Sequence, residues 1–221
     1  MNETLHCDAA SSDAANEIPS PKNGTKRLFD LVVVIFVLPV LSPLIVLLWL
    51  IVRMDGGPGF FGHERIGRNG VSFRCWKIRS MVPNSEERLK DYLANNPEAA
   101  REWSENFKLR NDPRITPIGK FLRKSSLDEL PQFWNVLLGE MSLVGPRPVS
   151  RDELQMYSIH LESYLSMSPG ITGPWQVSGR NNLTYEQRVA IDVDYSRQAH
   201  LRLDIKILLK TASVVLRRTG L

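Results

Sequence analysis

The sequence predicts an α/β protein that is predominantly helical with a small sheet. A re-entrant membrane helix hairpin opens it, and a water-facing domain with amphipathic interfacial helices follows. Three observations carry this. An uncharged run from Leu31 to Val52 is about 22 residues long, close to the ~20 that span a bilayer. Beyond Arg53, apolar residues recur mainly at helical spacing, between capping signals and turn clusters. Only the stretch from Phe60 to Met81 reads as strand-turn-strand.

Composition bounds the rest. The chain has 221 residues, 43% of them hydrophobic, enough for one sizeable core. Its net charge of +4 and pI near 9.2 suit an anionic partner: nucleic acid, a membrane surface or a phosphorylated substrate. The long apolar run, and the lack of any recognised nucleic-acid motif, argue against the first. The two cysteines, Cys7 and Cys75, do not read as a disulfide, and the four histidines have no zinc spacing.

Residues 1–23 are polar and small, with acidic residues and no cation before Lys22, and read as a disordered leader. Residues 24–54 form the membrane element. By hydropathy alone it is a single spanning anchor. Two details favour a hairpin that leaves on the side it entered. Pro39, Ser42 and Pro43 sit mid-run, where each proline removes a helix hydrogen bond and a kink is expected. The flanks are basic on both sides, Lys22, Lys26 and Arg27 before, Arg53, Arg65 and Arg68 after, whereas a spanning helix favours asymmetry. The Ser42 hydroxyl could serve a backbone group that the bend frees.

Residues 55–221 form the water-facing domain. Lys77 and Arg79 alternate onto one face of the second predicted strand, where they reach an anionic ligand or line a solvated edge. A charged helical stretch over 84–108 is interrupted at Asn95-Asn96-Pro97. A short amphipathic helix over 115–124 leads into an adjacent carboxylate pair, Asp128-Glu129. Ser126 or Asp128 reads as the N-cap of the next helix, with Glu129 in capping-box spacing from Ser126. Gly139 ends that helix. Pro146-Arg147-Pro148 is a rigid turn. Residues 151–167 read as one amphipathic helix. Thr184 and Gln187 form a second capping box for a helix of about 14 residues carrying Asp192. The closing helix, 203–216, suits either a core or an anionic membrane surface.

The carboxylate pair, with Lys120, Arg123 and Lys124 before it and Arg147 after it, predicts a phosphate-handling site. One carboxylate would act as nucleophile or metal ligand. The alternative is that the pair only caps a helix and complements its dipole.

Several stretches together resemble the bacterial sugar transferases, the monotopic phosphoglycosyl transferases that start glycan assembly on polyprenol phosphate. They are KRLFD (26–30), Ser42-Pro43, WKIRSM (76–81), RKSSLDELPQFWNVLLGEMSLVGPRPV (123–149), PGITGPWQVSGRN (169–181) and AIDVDY around Asp192. The resemblance runs from Lys26 to Gly220. It is nearest to exopolysaccharide enzymes that move galactose-1-phosphate, although no residue separates galactose from glucose or an N-acetylhexosamine.

The resemblance implies a re-entrant helix broken at Ser42-Pro43 and a catalytic dyad, Asp128-Glu129, that also holds Mg2+. It implies a UDP-sugar donor, an undecaprenyl phosphate acceptor and a covalent phosphosugar on Asp128, with UMP leaving. Glu129 is then a metal ligand or a base. Arg123 and Arg147 grip phosphate, with Lys77, Arg79 and Arg180 as further contacts and Asp192 as a nearby carboxylate or a structural ion-pair partner. The place implied is the cytoplasmic face of a bacterial inner membrane. A homodimer is allowed, and a membrane-tethered scaffold without catalysis is the competing class.

Overall fold

The computed structural model describes residues 23–106, 109–179 and 183–216. The leader through Lys22, Phe107, Arg180, Arg217 and Arg218 lie outside the described residues. Helices dominate as expected, but the strands form two separate two-stranded sheets rather than one.

Helix α1 (Asn23–Arg53) takes the whole apolar run. Its helical backbone continues through Pro39 and Pro43, so neither proline ends it. Pro43 has no N–H for the carbonyl of Pro39, and the Ser42 hydroxyl donates to that carbonyl instead, at 2.9 Å. Both ends of α1 are tied to the same water-facing body. At the start, Lys26 pairs with Asp204 at 2.6 Å, and Arg27 donates to the carbonyls of Val136 and Leu137. Asp30, buried, accepts from the Ser142 hydroxyl at 2.7 Å. At the far end, Arg79 donates to the Val52 carbonyl at 3.1 Å and pairs with Asp55. Between these ties the helix exposes Ile35, Phe36, Val40, Val46 and Leu47. The segment Gly24–Arg53 is long and apolar enough to cross a membrane, and little of it is buried in the protein.

Strands β1 (Phe60–Ile66) and β2 (Ser72–Ile78) pair antiparallel, as the sequence predicts. Asn69 and Gly70, both at positive φ, make the turn between them. Helices α2 (Ser85–Asn95) and α3 (Pro97–Asn106) divide at Asn96-Pro97, where the ring denies the residue before it a helical backbone. Helix α4 (Pro117–Ser125) starts on Thr116, whose side chain accepts from the Gly119 N–H, with Pro117 in the first turn. Helix α5 (Gln132–Leu138) ends at Gly139, φ 88°.

Strand β3 (Ser142–Val144) pairs in parallel with β4 (Gly170–Thr172). Helix α8 (Tyr185–Gln198) opens on the full Thr184/Gln187 capping box. Helix α9 (Leu201–Leu216) serves the core and also keeps an apolar outer face. Asp204 and Ile207 are buried, while Ile205 and Leu209 are exposed.

Between β3 and β4 the expected single helix over 151–167 is broken. It forms α6 (Arg151–Leu154), a 310 stretch (Gln155–His160) and α7 (Leu161–Leu165), with Ser158 at φ 46°. On either side of the break two buried tyrosines take distant partners. The Tyr157 hydroxyl donates to Asp192, and the Tyr164 hydroxyl donates to the Ile66 carbonyl. These buried bonds outweigh the weak local preference for a continuous helix.

Three apolar clusters hold the fold. One packs Val34 of α1 with Phe73, Cys75, Val136 and Ile207. A second packs Leu48 and Val52 with Ile78 and Leu122. Strand β2 thus lies against both halves of α1. The third gathers Ile66, Tyr157, Tyr164, Val189 and Val193.

Candidate active site

The carboxylate pair occupies a 310 turn, Leu127–Glu129, between α4 and α5. This corrects the expected capping box. Ser126 lies in the left-handed region at φ 57°, where its N–H closes the end of α4 on Arg123 and Leu122, and its side chain caps nothing. A residue in that conformation cannot take the extended backbone of an N-cap. A three-residue turn also has little dipole. The positive field at the pair therefore comes from side chains.

Lys77, near the end of β2, reaches Glu129 at 2.6 Å. Its position follows from Asn135 of α5, fully buried. That side chain accepts from the Trp76 N–H at 3.0 Å and donates to the Arg74 carbonyl at 2.8 Å, clamping helix to strand. Arg123 comes from the last turn of α4, its Nε donating to the Ser80 hydroxyl at 2.9 Å. Arg147 stands in its Pro-Pro frame just after β3. That frame is fixed by Gly145 N–H to Thr172 O (3.0 Å) and Gly170 N–H to Pro146 O (2.8 Å). Arg147 makes no hydrogen bond or ion pair with any described residue, yet its charge acts on both Glu129 and Arg123.

The two carboxylates differ electrostatically. Burial pushes Asp128 above the ordinary carboxylate range; Lys77 and Arg123 pull it down, and Glu129 pushes it up. Burial would raise Glu129 too, but Lys77 and Arg147, with hydrogen bonds from Lys77 and Gln132, hold it below its ordinary value. One group is therefore the more basic and the other firmly anionic, which is how paired carboxylates take separate roles.

Other expected positions fall elsewhere. Strand β2 ends at Ile78, so alternation no longer governs Arg79. Its guanidinium turns into the exit of α1, donating to Pro58 O (2.6 Å), Met81 O (2.8 Å) and Val52 O and pairing with Asp55. Four partners leave it no free fork for a ligand. Arg180 lies outside the described residues. Asp192 is buried under the third cluster and accepts from Tyr157 at 2.9 Å, with no ion pair among the described residues and Oδ1 unpartnered. Lys120 and Lys124 are exposed on α4.

The sequence did not single out Gln132, Asn135, Ser80 or the Arg65–Glu153 pair at 3.0 Å. Glu153 carried a readable signal: it sits three residues after Ser150, and the two form a capping box.

Burial pushes Asp192 up to about 7, against the Tyr157 hydrogen bond, which lowers it. The folded protein then keeps a proton that the unfolded chain loses near 3.8, so stability falls as pH rises from about 4 to 7. The full linkage is at most about 4 kcal/mol, from roughly 1.4 kcal/mol per pH unit. Asp192→Asn keeps an acceptor for Tyr157 and removes this titration. Unfolding in nanodiscs should find the variant more stable than the parent at pH 8, with the gap closing near pH 4. A gap that does not move with pH would mean Asp192 does not titrate there.

Among the described residues no group of three His, Cys, Asp or Glu side chains could hold a metal alone. Magnesium commonly takes one or two carboxylates and fills its octahedron with substrate phosphate and water, which Asp128 and Glu129 fit.

The bacterial sugar transferase family model matches residues 21–218. The chain belongs to the bacterial sugar transferase family. Undecaprenyl-phosphate galactose phosphotransferase of Salmonella typhimurium is 56% identical over 195 residues, covering 88% of this chain and 41% of that protein. Exopolysaccharide production protein ExoY of Sinorhizobium fredii is 48% identical over 192 residues, covering 86% of this chain and 85% of that protein. UDP-glucose:undecaprenyl-phosphate glucose-1-phosphate transferase of Escherichia coli is 35% identical over 205 residues, 87% of this chain and 41% of that protein. This member of the family thus spans about two fifths of the Salmonella and E. coli relatives and most of ExoY.

Proposed function

We propose that the protein moves a hexose-1-phosphate from a UDP-sugar to undecaprenyl phosphate, through a covalent phosphosugar on Asp128, and so begins an exopolysaccharide repeat. The observation that carries this is the carboxylate pair fenced by Lys77, Arg123 and Arg147, in a body tied to both ends of an apolar helix. The names of the similar proteins support the reaction class. Galactose is the first choice of sugar, from the Salmonella relative, and glucose the second, from the Escherichia coli one.

The steps follow from charge. An Asp128 oxygen attacks the sugar-bearing phosphorus of the diphosphate. The bridging P–O bond breaks, and its electron pair leaves on the oxygen of UMP. Undecaprenyl phosphate then attacks the same phosphorus, and Asp128 departs as carboxylate. A carboxylate approaching a diphosphate meets repulsion, which Lys77, Arg123 and Arg147 offset. Mg2+ held by Asp128, Glu129 and substrate phosphates would neutralise further charge there. Glu129, kept anionic by Lys77 and Arg147, would serve as that ligand.

The setting is an interface. A straight helix of 31 residues would run about 46 Å. A body rich in charge cannot follow it through a bilayer, so ties at both ends favour re-entry from one side. Exposed Phe121, Trp134 and Leu138, with Ile205 and Leu209 of α9, add apolar surface for the same leaflet. Trp49 packs on Phe60, ring centroids 6.3 Å apart, with Arg53 over the Trp49 ring, as aromatic and basic residues do at headgroup depth. These features support a site beside a lipid phosphate on the cytoplasmic face of the inner membrane.

Purified protein given Mg2+, undecaprenyl phosphate and a panel of UDP-sugars should release UMP, fastest with UDP-galactose. No release with any donor would leave the tethered scaffold as the better reading. For the topology, Pro43→Ala restores an N–H and removes a ring clash that costs about 3 kcal/mol inside a helix. Part of the population should then span. Cysteine labelling would show this as a leader that changes sides, and an unchanged pattern would count against the bent helix.

A further inference from the structure

We infer that Arg188, seated on the Trp175 ring, binds the phosphate that departs with the nucleotide. It would complete a diphosphate grip whose other half is Lys77, Arg123 and Arg147. The inference rests on the transfer reaction proposed above.

Arg188 lies in the first turns of α8, fixed by the Thr184 capping box. Its guanidinium carbon stands 4.8 Å from the Trp175 ring centroid. Trp175 is buried, so the platform is rigid. The Arg188 Nε is shielded from solvent and has no hydrogen-bond partner among the described residues. Its guanidinium makes no ion pair with any described residue. The carboxylate whose charge it feels, Glu153, is already bonded to Arg65 and to the Ser150 N–H. The charge that works against Arg188, after burial itself, is Arg147. Arg147 lies close enough for its charge to act on Arg188, and neither has a counter-ion among the described residues, which is an unfavourable arrangement. Such local conflict is what a functional site tolerates.

The position of Arg147 supplies the ligand's shape. Its charge acts on Glu129 and Arg123 and also on Arg65, Glu153 and Arg188. Geometry joins the two groups. Tyr185, in the turn before Arg188, donates to the Glu153 carbonyl at 3.1 Å, and the paired strands β3 and β4 lead into Arg147 and Trp175 respectively. On this inference, an anion that meets Asp128 and Arg147 also meets Arg188. Two linked phosphates fit those contacts, and planar guanidinium forks suit phosphate oxygens. When Asp128 bonds to the first phosphorus, the bridging bond breaks. Its electron pair and a growing negative charge go to the second phosphate. A cation that is already oriented and short of partners gains most at that moment, which lowers the barrier rather than only tightening binding. A lipid phosphate offers the same chemistry, so the test separates the two sources.

The experiment follows the half-reactions separately in nanodiscs. With UDP-galactose and Mg2+ but no acceptor, Arg188→Gln should slow UMP release and adduct formation by roughly 10- to 100-fold, and Arg188→Lys should recover part of it. Undecaprenyl phosphate added to preformed adduct should react at the parent rate. An unchanged donor step overturns the inference. A slowed acceptor step with a normal donor step overturns it too, and gives Arg188 to the lipid phosphate. UDP alone is the second probe. It should raise the unfolding temperature of the parent but hardly that of Arg188→Gln, which without ligand should be no less stable than the parent. A destabilised variant that keeps the UDP shift marks a structural residue and overturns the inference. If the parent never releases UMP while UDP binding still needs Arg188, the transfer reading fails and the phosphate site stands.

Discussion

Asp128→Asn should lose at least about a thousandfold in UMP release, with no phosphosugar adduct visible by mass spectrometry. The amide is isosteric and neutral, so the 310 turn between α4 and α5 is kept, while the oxygen that the proposed mechanism uses as nucleophile is lost. The pH profile is a companion result. Burial raises Asp128, so the parent's donor step should fall on acidification at a pH above the ordinary 3.8 of an aspartate. The sign follows from the chemistry: the protonated carboxyl cannot attack. An adduct that persists in Asp128→Asn would assign the nucleophile elsewhere, with Glu129 the first group to examine.

Gly119→Ala should fold poorly and, where it folds, lose most activity. The general expectation is the reverse, since alanine is favoured over glycine inside a helix by about 1 kcal/mol. Here α4 lies so close to β2's continuation that a Cβ on Gly119 would sit 1.9 Å from the Ser80 carbonyl oxygen. Backbone must move to relieve that contact, and overpacking of this kind costs roughly 1–3 kcal/mol or more. The steric loss therefore exceeds the propensity gain. The strain falls beside the proposed site, because Arg123 leaves the same helix and bonds the Ser80 hydroxyl. Unfolding measurements should show a lower midpoint, and single-turnover kinetics a slower donor step in the folded fraction. A variant as stable as the parent would mean that α4 stands further from Ser80.

Much of the molecule was legible because its signals are local. The apolar run, the Pro-bearing helix interruption at Asn96-Pro97, the Thr184 capping box and the end of α5 at Gly139 are short-range physics. The structure has each of them. The serine that answers the proline was legible too, since Ser42 lies one residue before Pro43 and three after the carbonyl it serves.

The misreadings share a cause. Arg79 looked like a partner of Lys77 because strands alternate, but β2 stops between them and the exit of α1 captures the guanidinium. Ser126 looked like a cap because of its spacing to Glu129, yet the end of α4 had already claimed its backbone. The helix over 151–167 breaks because Tyr157 and Tyr164 have distant partners that no periodicity reports.

The sequence alone determined which stretch is long and apolar enough to cross a membrane, where carboxylates and cations cluster along the chain and the order in which helices follow one another. These depend on hydropathy, residue type and contacts a few residues apart. Tertiary structure alone decided that Lys77 pairs with Glu129, that Arg147, unpaired among the described residues, acts by its charge on both Glu129 and Arg188, and that both ends of α1 return to one body. The ion pairs among these join residues 24 to 178 positions apart in the chain. They exist only because burying the three apolar clusters offsets the entropy of bringing such distant segments together.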